Sequence, residues 1–286
     1  MKLAAAKVPV STVWTAPDAP RDIDAPAIAA QPDVAGWAKS MDTETRLGLH
    51  DRTLTQLLFA EPVLVRSERN GWSEIVAPWQ PSSQDDLGYP GWVPSSHLGE
   101  LPSAASDPVA VAVPTAHLFA EPGAGALAEL SFATVLASIE HADGYTRVAT
   151  PDGGSAWLAD DVLRTGPGTA EDRLLLGSQF LGLEYLWGGT SAYGLDCSGL
   201  VHTVSRVLGM RTSRDAHDQA DTLENIAVEE AQPGDLYFFA RPGKSVHHVG
   251  FVSAEGMLHA SETGKRLENE PVSDERRAIL VTAARL

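Results

Sequence analysis

Apolar residues recur with two different spacings along the 286-residue chain, and the spacing changes near residue 165. Before that point, short alternating runs are broken by Pro, Gly and Asp, with one helix expected near residues 33–41. Short strands of this kind are typical of small β-barrels. After residue 165, helices are expected first and strands later, so the pattern predicts an α+β fold.

Two segments of the first 165 residues are divergent copies of one unit. The pentapeptide Leu-Phe-Ala-Glu-Pro occurs at residues 58–62 and 118–122, but aligning the copies on it leaves nothing else in register. A better register pairs three other points: 13–17 with 118–122, 70–76 with 143–149, and 91–94 with 155–159. Three matched points in the same order indicate a repeat. The first copy carries an inserted segment (residues 20–50), and residues 101–108 form the linker to the second.

A helix-capping sequence at Thr169 and Asp172 follows a glycine-rich stretch. A Thr followed three residues later by an acidic residue is a signature of a helix start. We expect the helix to reach about residue 181 and to pack against the next helix through Leu174, Leu175, Phe180 and Leu181. The predicted domains are therefore residues 1–100, 101–165 and 166–286.

Cys197 is the only cysteine of the chain and lies where a helix should begin. The apolar residues after it recur at helical spacing as far as Gly209. In a first helical turn, unpaired N–H groups and the positive end of the helix dipole favour the thiolate, which is the form that attacks carbonyls. Taken alone, the residue fits a buried thiol as well as it fits a nucleophile.

A predicted β-hairpin about fifty residues later carries His248 and His259. Because the turn at residues 253–256 has an even length, both histidines should project from one face, and His247 from the other. A cysteine hydrolase needs a nucleophile, a base and a group that orients the base. Cys197, His248 and His259 together supply these three groups.

These residues stand in motifs that resemble the NlpC/P60 family of papain-like cysteine peptidases, which cleave peptides of the bacterial cell wall. The resemblance covers roughly the last 115 residues in the family's order and spacing. Its motifs are Tyr185-Leu186-Trp187-Gly188-Gly189, Asp196-Cys197-Ser198-Gly199-Leu200, Gln232-Pro233-Gly234-Asp235-Leu236, His248-Val249-Gly250 and His259-Ala260. The resemblance implies that Cys197 is the nucleophile, His248 the general base and acid, and His259 the residue that orients His248.

The same resemblance implies a set of substrate-binding residues. Trp187, Asp196 and Ser198 would line the cleft, together with Asp215. Related enzymes carry a Ser after that Asp, whereas this chain has Ala216. Because Ala has no hydroxyl, the hydrogen bond that this Ser would make to the substrate is not expected here.

The two upstream copies resemble bacterial SH3 (SH3b) domains, in which a turn-Gly-aromatic strand and a closing Gly-x-Trp strand recur. Two SH3b domains before an NlpC/P60 domain are similar to the YkfC-type γ-D-glutamyl-L-diamino acid endopeptidases, which act on released wall peptides during recycling. In that subgroup the first SH3b domain covers the cleft and binds the free amino end of an L-alanine residue. The resemblance gives Tyr89 the place over the active site and Glu61 the role of compensating the ammonium charge.

The expected reaction is attack by Cys197 on the carbonyl of a γ-D-glutamyl bond to diaminopimelate or lysine. His248 protonates the departing amine, and water hydrolyses the acyl-enzyme. The backbone N–H of Cys197 is the expected oxyanion donor. The expected partner is a small murein peptide, L-Ala-γ-D-Glu-diamino acid, and the reaction needs no cofactor or metal.

Composition and charge exclude several other classes. A net charge of −17 without clusters of Lys and Arg argues against a nucleic-acid partner. No apolar run approaches the roughly 18 residues of a membrane span. Lys7 interrupts the first apolar stretch before it reaches the length of a secretory signal, so a cytoplasmic protein is expected. The oligomeric state is not indicated.

Three alternatives stay open at this point. Cys197, His248 and His259 also have the composition of a zinc site with an open fourth position. The second alternative is an inactive protein that binds wall peptides. The third is an N-acetylmuramoyl-L-alanine amidase or another hydrolase of polymeric peptidoglycan.

Overall fold

The computed structural model describes residues 1–102, 107–151 and 153–286. The first hundred residues form a sheet of β1 (Lys2–Ala6), β2 (Val10–Trp14), β3 (Thr53–Leu58), β4 (Pro62–Arg69), β5 (Trp72–Ala77), β6 (Tyr89–Pro94) and β7 (Leu98–Gly99), in the order β3-β2-β6-β5-β4-β1-β7. The inserted segment between β2 and β3 holds α1 (Ala25–Ile28), α2 (Val34–Ser40) and α3 (Thr43–Leu47). Asp33 caps α2 by accepting a hydrogen bond from the Gly36 N–H, which confirms the helix predicted there.

A second sheet repeats the first. It consists of β8 (Pro108–Val111), β9 (Thr115–Glu121), β10 (Ala124–Ser131), β11 (Val135–Ala142), β12 (Tyr145–Ala149), β13 (Ser155–Ala159) and β14 (Leu163–Arg164), in the order β10-β9-β13-β12-β11-β8-β14. This is the order of the first sheet shifted by seven strands. Trp14 pairs with Trp92 in the first sheet, and Phe119 pairs with Trp157 in the second. The register predicted from the sequence is therefore confirmed.

The expectation of closed barrels is wrong in one respect. Within the described ranges, the edge strands β3 and β7 of the first sheet do not pair with each other, nor do β10 and β14 of the second. Each sheet is thus an open ladder around its own apolar core, with Val13, Leu57 and Ile75 in the first and Leu118 and Leu158 in the second. Residues 103–106 of the predicted linker lie outside the described residues.

The remaining chain is an α+β domain, as predicted. Its elements are α4 (Ala170–Ser178), β15 (Thr190–Ser191), β16 (Gly194–Leu195), α5 (Cys197–Val207), α6 (Ala216–Thr222), β17 (Glu224–Ile226), β18 (Leu236–Phe239), β19 (His248–Val252), β20 (Met257–Ala260), β21 (Leu267–Glu270), α7 (Asp274–Arg277) and β22 (Leu280–Arg285). Six strands form an antiparallel sheet in the order β17-β22-β18-β19-β20-β21. In the described part of the chain, no helix is long and apolar enough to cross a membrane.

The capping sequence of α4 is confirmed, but its apolar face is partly wrong. The Thr169 hydroxyl accepts from the Asp172 N–H, and the Asp172 carboxylate accepts from the Thr169 N–H. The helix ends at Ser178, and Leu175 and Leu181 are exposed. Phe180 is buried as predicted, and the other buried positions are Arg173, Leu176 and Gly177. These positions recur at spacings of three and four residues, as one helix face requires.

Helix α5 is the centre of the α+β domain. Leu200, Val201 and Val204 are fully buried and pack with Val249 and Phe251 of β19 in one apolar core. A helix held on that many sides has little freedom to shift, because protein interiors are closely packed. The first residue of α5, and any chemistry placed there, is therefore fixed relative to β19.

The inserted segment fastens the first sheet to the α+β domain. The buried guanidinium of Arg46 donates to the backbone oxygen of Tyr185 at 3.0 Å and forms an ion pair with Glu184 at 2.8 Å. On strand β3, the backbone oxygen of Gln56 accepts from the Thr190 hydroxyl at 3.1 Å. These contacts bring β3 and the inserted segment beside the start of α5.

Candidate active site

The Asp-Cys-Ser-Gly motif forms the start of α5. The Asp196 carboxylate caps the helix by accepting from the Gly199 N–H at 2.7 Å, and it also accepts from the Gly188 N–H at 2.9 Å. A Cβ on Gly199 would lie 2.1 Å from the Gly189 oxygen, so no larger residue fits there. Cys197 is consequently the first residue of the helix, and its N–H has no intrahelical partner.

The Cys197 thiol is buried and uncharged in the free protein. Burial, followed by the negative charge of Asp196, raises the pKa of the thiol to about 12. Hydrogen bonds to the sulfur from the N–H groups of Val249 and Ser198 act in the opposite direction but do not outweigh burial. Burial therefore opposes the thiolate that the helix start favours, because the loss of hydration destabilises the anion more than the helix end stabilises it. The proton must leave with the help of a base.

The two histidines of the hairpin point at each other, which confirms that they share a face. His248 Nε2 lies 2.8 Å from His259 Nδ1, and His259 Nε2 lies 3.1 Å from Oε1 of Glu270 on β21. An ionised carboxylate only accepts hydrogen bonds, so His259 Nε2 donates to Glu270 and His248 Nε2 donates to His259. This order leaves a lone pair on His248 Nδ1, where a base needs it.

His248 lies next to the nucleophile and is neutral. The Cys197 sulfur accepts a hydrogen bond from the N–H of Val249, the residue that follows His248. Burial, with smaller effects from the charges of His259 and Arg276, holds the pKa of His248 well below its usual value. Burial likewise lowers the pKa of His259 to about 3. Thiol and imidazole are thus both neutral in the free protein, and His248 is placed to act as the base for the thiol proton.

A cleft of about 440 Å³ lies over Cys197, between the first sheet and the α+β domain. From the α+β domain it is lined by five of the residues that the sequence predicted for the site: Trp187, Asp196, Cys197, Ser198 and Asp215. From the first domain come Thr15, Asp51, Thr53, Leu54 and the predicted Tyr89. The first domain therefore forms one wall of the cleft, as the resemblance implied.

Tyr89 and Asp215 join the two walls. The Tyr89 hydroxyl donates to Oδ2 of Asp215 at 2.9 Å. Burial and the neighbouring Asp215 raise the pKa of Tyr89, which stays a neutral donor. Burial also raises the pKa of Asp215, against the effect of Arg214. Ala216 lines the cleft next to this pair, at the position where related enzymes carry Ser.

Asp196 has a positioning role more than a direct one. Its Oδ2 lies 2.6 Å from the fully buried guanidinium of Arg214, and its Oδ1 accepts from Ser198 at 3.2 Å. Arg214 also donates to Ser198 Oγ and, across the domain boundary, to Thr55 Oγ1 at 2.9 Å. Because both oxygens of the Asp196 carboxylate already have protein partners, the carboxylate holds the walls of the cleft in place and is not free to bind a charged group of a ligand.

Glu61 does not reach the cleft, so its predicted role is wrong. Its side chain is 1% exposed, and its two oxygens lie 2.7 and 3.0 Å from the guanidinium nitrogens of Arg206 near the far end of α5. Gln80 and the Leu58 N–H also donate to it. A carboxylate already neutralised by a buried guanidinium has no charge left for a substrate ammonium.

Asp51 is a cleft carboxylate that the sequence did not indicate. It follows α3 in a turn with φ of 64°, a conformation that Asp tolerates better than most residues. Among the described residues, no ion pair engages its carboxylate, in contrast to that of Glu61. A carboxylate with no cationic partner in a substrate cleft is suited to bind an ammonium group.

The sequence analysis missed three further residues of the site, each for a different reason. Tyr185 stands in a motif of the sequence but had no role, and its hydroxyl hydrogen-bonds the Cys197 sulfur. Arg214 directly precedes Asp215, yet only the fold shows it beneath the cleft. Glu270 lies on β21 two residues after Glu268, on the same face of the strand, and the sequence does not show which of the two reaches His259.

The zinc alternative does not fit the geometry. His248 Nε2 and His259 Nδ1 face each other at hydrogen-bonding distance, whereas metal ligands converge on a common point with their lone pairs. Among the described residues, the set of side chains whose ligand atoms do converge is Asp215, His217 and Asp218, which excludes Cys197.

Comparisons with known proteins identify the family of the chain. Residues 182–282 match the NlpC/P60 family, and residues 111–162 match the YKFC SH3b2 domain. The chain is 39% identical to a gamma-D-glutamyl-L-lysine dipeptidyl-peptidase of Bacillus subtilis, over 91% of this chain and 90% of that protein. It is 34% identical to a protein of the same name from Bacillus cereus, over 93% and 85%. The crystal structure of an NlpC/P60 family protein from Bacillus cereus superposes with a TM-score of 0.91 at 32% identity, covering 99% of both chains.

The raised pKa of Cys197 predicts how the free thiol reacts with iodoacetamide. Because the thiolate fraction is small, alkylation should be slower than that of glutathione and should still rise across about pH 7 to 10. Cys197 is the only cysteine, so the mass of the intact protein reports the reaction, with Cys197→Ser as the unreactive control. A rate that is constant over about pH 5 to 8 would instead indicate a preformed thiolate–imidazolium pair.

Proposed function

Because the chain belongs to the NlpC/P60 family of cysteine peptidases, we propose that it hydrolyses the γ-D-glutamyl bond to an L-diamino acid in small wall peptides with a free N-terminal L-Ala. The observation that carries the proposal is the cleft itself. One of its walls comes from the first domain, and it is lined both by the nucleophile Cys197 and by Asp51, a carboxylate that no ion pair engages among the described residues. The relatives in both Bacillus species bear the name of a dipeptidyl-peptidase, an enzyme that removes two residues from an amino end.

The amino end of the peptide is recognised by charge. The first domain offers Asp51 and the α+β domain offers Asp215, both of which line the cleft. An ammonium group in a partly desolvated cleft is stabilised by hydrogen bonds to carboxylates. Tyr89, held by Asp215, lines the cleft beside these carboxylates, and we expect it to obstruct a polymer that continues from the amino end.

The reaction starts when a carbonyl lies beside Cys197. The sulfur attacks the carbonyl carbon, and its proton passes to Nδ1 of His248. Positive charge on His248 is stabilised through its hydrogen bond to His259 and from there by Glu270. The Cys197 N–H and the Tyr185 hydroxyl lie next to the sulfur and are available to the oxyanion. His248 then protonates the departing amine, and water hydrolyses the acyl-enzyme.

The third residue of the substrate and the biological setting are part of the proposal. Lysine, which the names of the relatives contain, and meso-diaminopimelate share the L-centre at which the bond is cut. A requirement for a free L-Ala amine excludes the intact wall, where that amine is acylated. Peptides already released from the wall satisfy it, so we assign the enzyme to murein peptide recycling in the cytoplasm.

Digestion of free tripeptide and of intact sacculi side by side tests the proposed substrate. L-Ala-γ-D-Glu-L-Lys or its diaminopimelate counterpart should yield the dipeptide L-Ala-γ-D-Glu and the free diamino acid, identified by mass. Sacculi should release nothing, and Cys197→Ala should cleave neither. Release of wall fragments from sacculi, or cleavage by the Cys197→Ala variant, would contradict the proposal.

Asp51 and Glu61, two carboxylates of the first domain, give a matched pair of variants. Asp51→Asn should lower kcat/KM for the free tripeptide about 10- to 100-fold, the effect of removing one partner of a charge-assisted hydrogen bond. Glu61→Gln should lower the melting temperature, because it leaves the buried guanidinium of Arg206 without its anionic partner. It should keep kcat/KM within about threefold of wild type, since Glu61 does not line the cleft. A large loss of kcat/KM in Glu61→Gln with little change in Asp51→Asn would instead identify Glu61 as the residue that binds the amino end.

A further inference from the structure

A second chamber lies on the other side of the reacting atoms from the cleft. It has a volume of about 290 Å³ and shares Tyr185, Trp187 and His247 with the cleft, so the two are contiguous. Its further lining includes the base His248 and, among its polar residues, His50, Ser261, Glu262, Thr263 and Arg276. Cys197 lines the cleft and His248 lines the chamber, which places the bond to be cut between them.

We propose that this second chamber binds the leaving L-diamino acid, with Arg276 holding its α-carboxylate and Glu262 its side-chain ammonium. The inference rests on the proposed function and deepens it. The departing nitrogen takes its proton from His248, so the leaving residue must lie beside His248. The acyl part with its amino end occupies the cleft, and the second chamber is the space left on the His248 side.

Arg276 has the unused donors that a carboxylate requires. Its side chain is 19% exposed, donates to Ser261 Oγ at 2.9 Å, and in the described ranges has its nearest carboxylate, Glu270, 3.8 Å away. That distance is longer than a charge-assisted hydrogen bond, so most of the five guanidinium N–H groups have no anionic partner. A planar guanidinium presents paired donors that match the two oxygens of a carboxylate.

Glu262 supplies the opposite charge in the same chamber. Its partner is Lys265 at 2.8 Å, and both side chains are more than half exposed. Such surface ion pairs contribute little, typically less than about 1 kcal/mol, so a ligand ammonium can compete for the carboxylate. One cation and one anion on the same wall are complementary to a zwitterionic residue with a second amino group.

The inserted segment completes the chamber. His50 hydrogen-bonds Thr263 at 3.0 Å and packs against Trp187, with ring centroids 4.1 Å apart and the ring planes tilted by 40°. The inserted segment thus supplies one wall of the chamber, through Leu47 and His50.

Kinetics with paired substrates test the assignment of Arg276. The wild-type enzyme should have a kcat/KM for L-Ala-γ-D-Glu-L-Lys about 10- to 100-fold above that for the same peptide with a C-terminal carboxamide. Arg276→Gln should bring this ratio close to one, whereas Arg277→Gln, an exposed neighbour on α7, should keep it. A merely structural role of Arg276 would lower both values and leave the ratio unchanged.

The same design tests Glu262 with norleucine in place of lysine. The lysine-to-norleucine ratio should fall in Glu262→Gln and persist in Glu275→Gln, another exposed acid on α7. Ratios near one in the wild-type enzyme, or ratios that survive Arg276→Gln and Glu262→Gln, would overturn the inference while the peptidase activity stands. Failure of the wild-type enzyme to cleave any of these peptides would overturn the proposed function instead.

Discussion

A buried ion pair between Asp196 and Arg214 holds the active site together. Asp196 caps the helix that begins with Cys197 and binds the Gly188 N–H beside Trp187, while Arg214 reaches Thr55 on the first sheet. Burying two charges is costly unless every polar atom finds a partner, and here both groups have several. Removing either one would leave an uncompensated charge, at a cost of about 3–5 kcal/mol. The pair therefore couples the position of the nucleophile to the docking of the first domain.

Burial also sets the charge state of the two reacting groups. It raises the pKa of the Cys197 thiol and lowers the pKa of the His248 imidazole, so both are neutral in the free protein. In the proposed mechanism, charge forms when the proton crosses from sulfur to His248, where hydrogen bonds through His259 to Glu270 stabilise it. Such a site stays uncharged while the cleft is empty, because no carbonyl is present for the sulfur to attack. Its specificity therefore depends on which peptide binds in the cleft.

Much of the fold could be predicted from the sequence because local signals carried it. The capping sequence at Thr169, the even-length turn between His248 and His259, and the repeat that aligns Trp92 with Trp157 all depend on residues close together in the chain. The site motifs around Cys197 were predictable for the same reason. They combine helix-capping chemistry with a nucleophile in five consecutive residues.

The parts that failed depend on distant contacts. Glu61 and Asp51 look alike in sequence, and only the packing of α5 places Arg206 against the first and leaves the second in the cleft. Glu270 becomes part of the catalytic chain because β21 pairs with β20 in a register that the sequence does not specify. Leu175 seemed apolar enough for the core, yet the phase of α4 is set by Leu176 and Phe180.

The central claim is that two domains form one cleft, which binds the substrate by its free amino end and so places the bond after the second residue beside Cys197. The most direct measurement compares kcat/KM for L-Ala-γ-D-Glu-L-Lys with that for the same peptide acetylated on the L-Ala nitrogen. Acetylation removes the charge that the carboxylates bind and adds bulk against the Tyr89 wall, so the account predicts a loss of at least about 100-fold. Equal hydrolysis of the two peptides would contradict it.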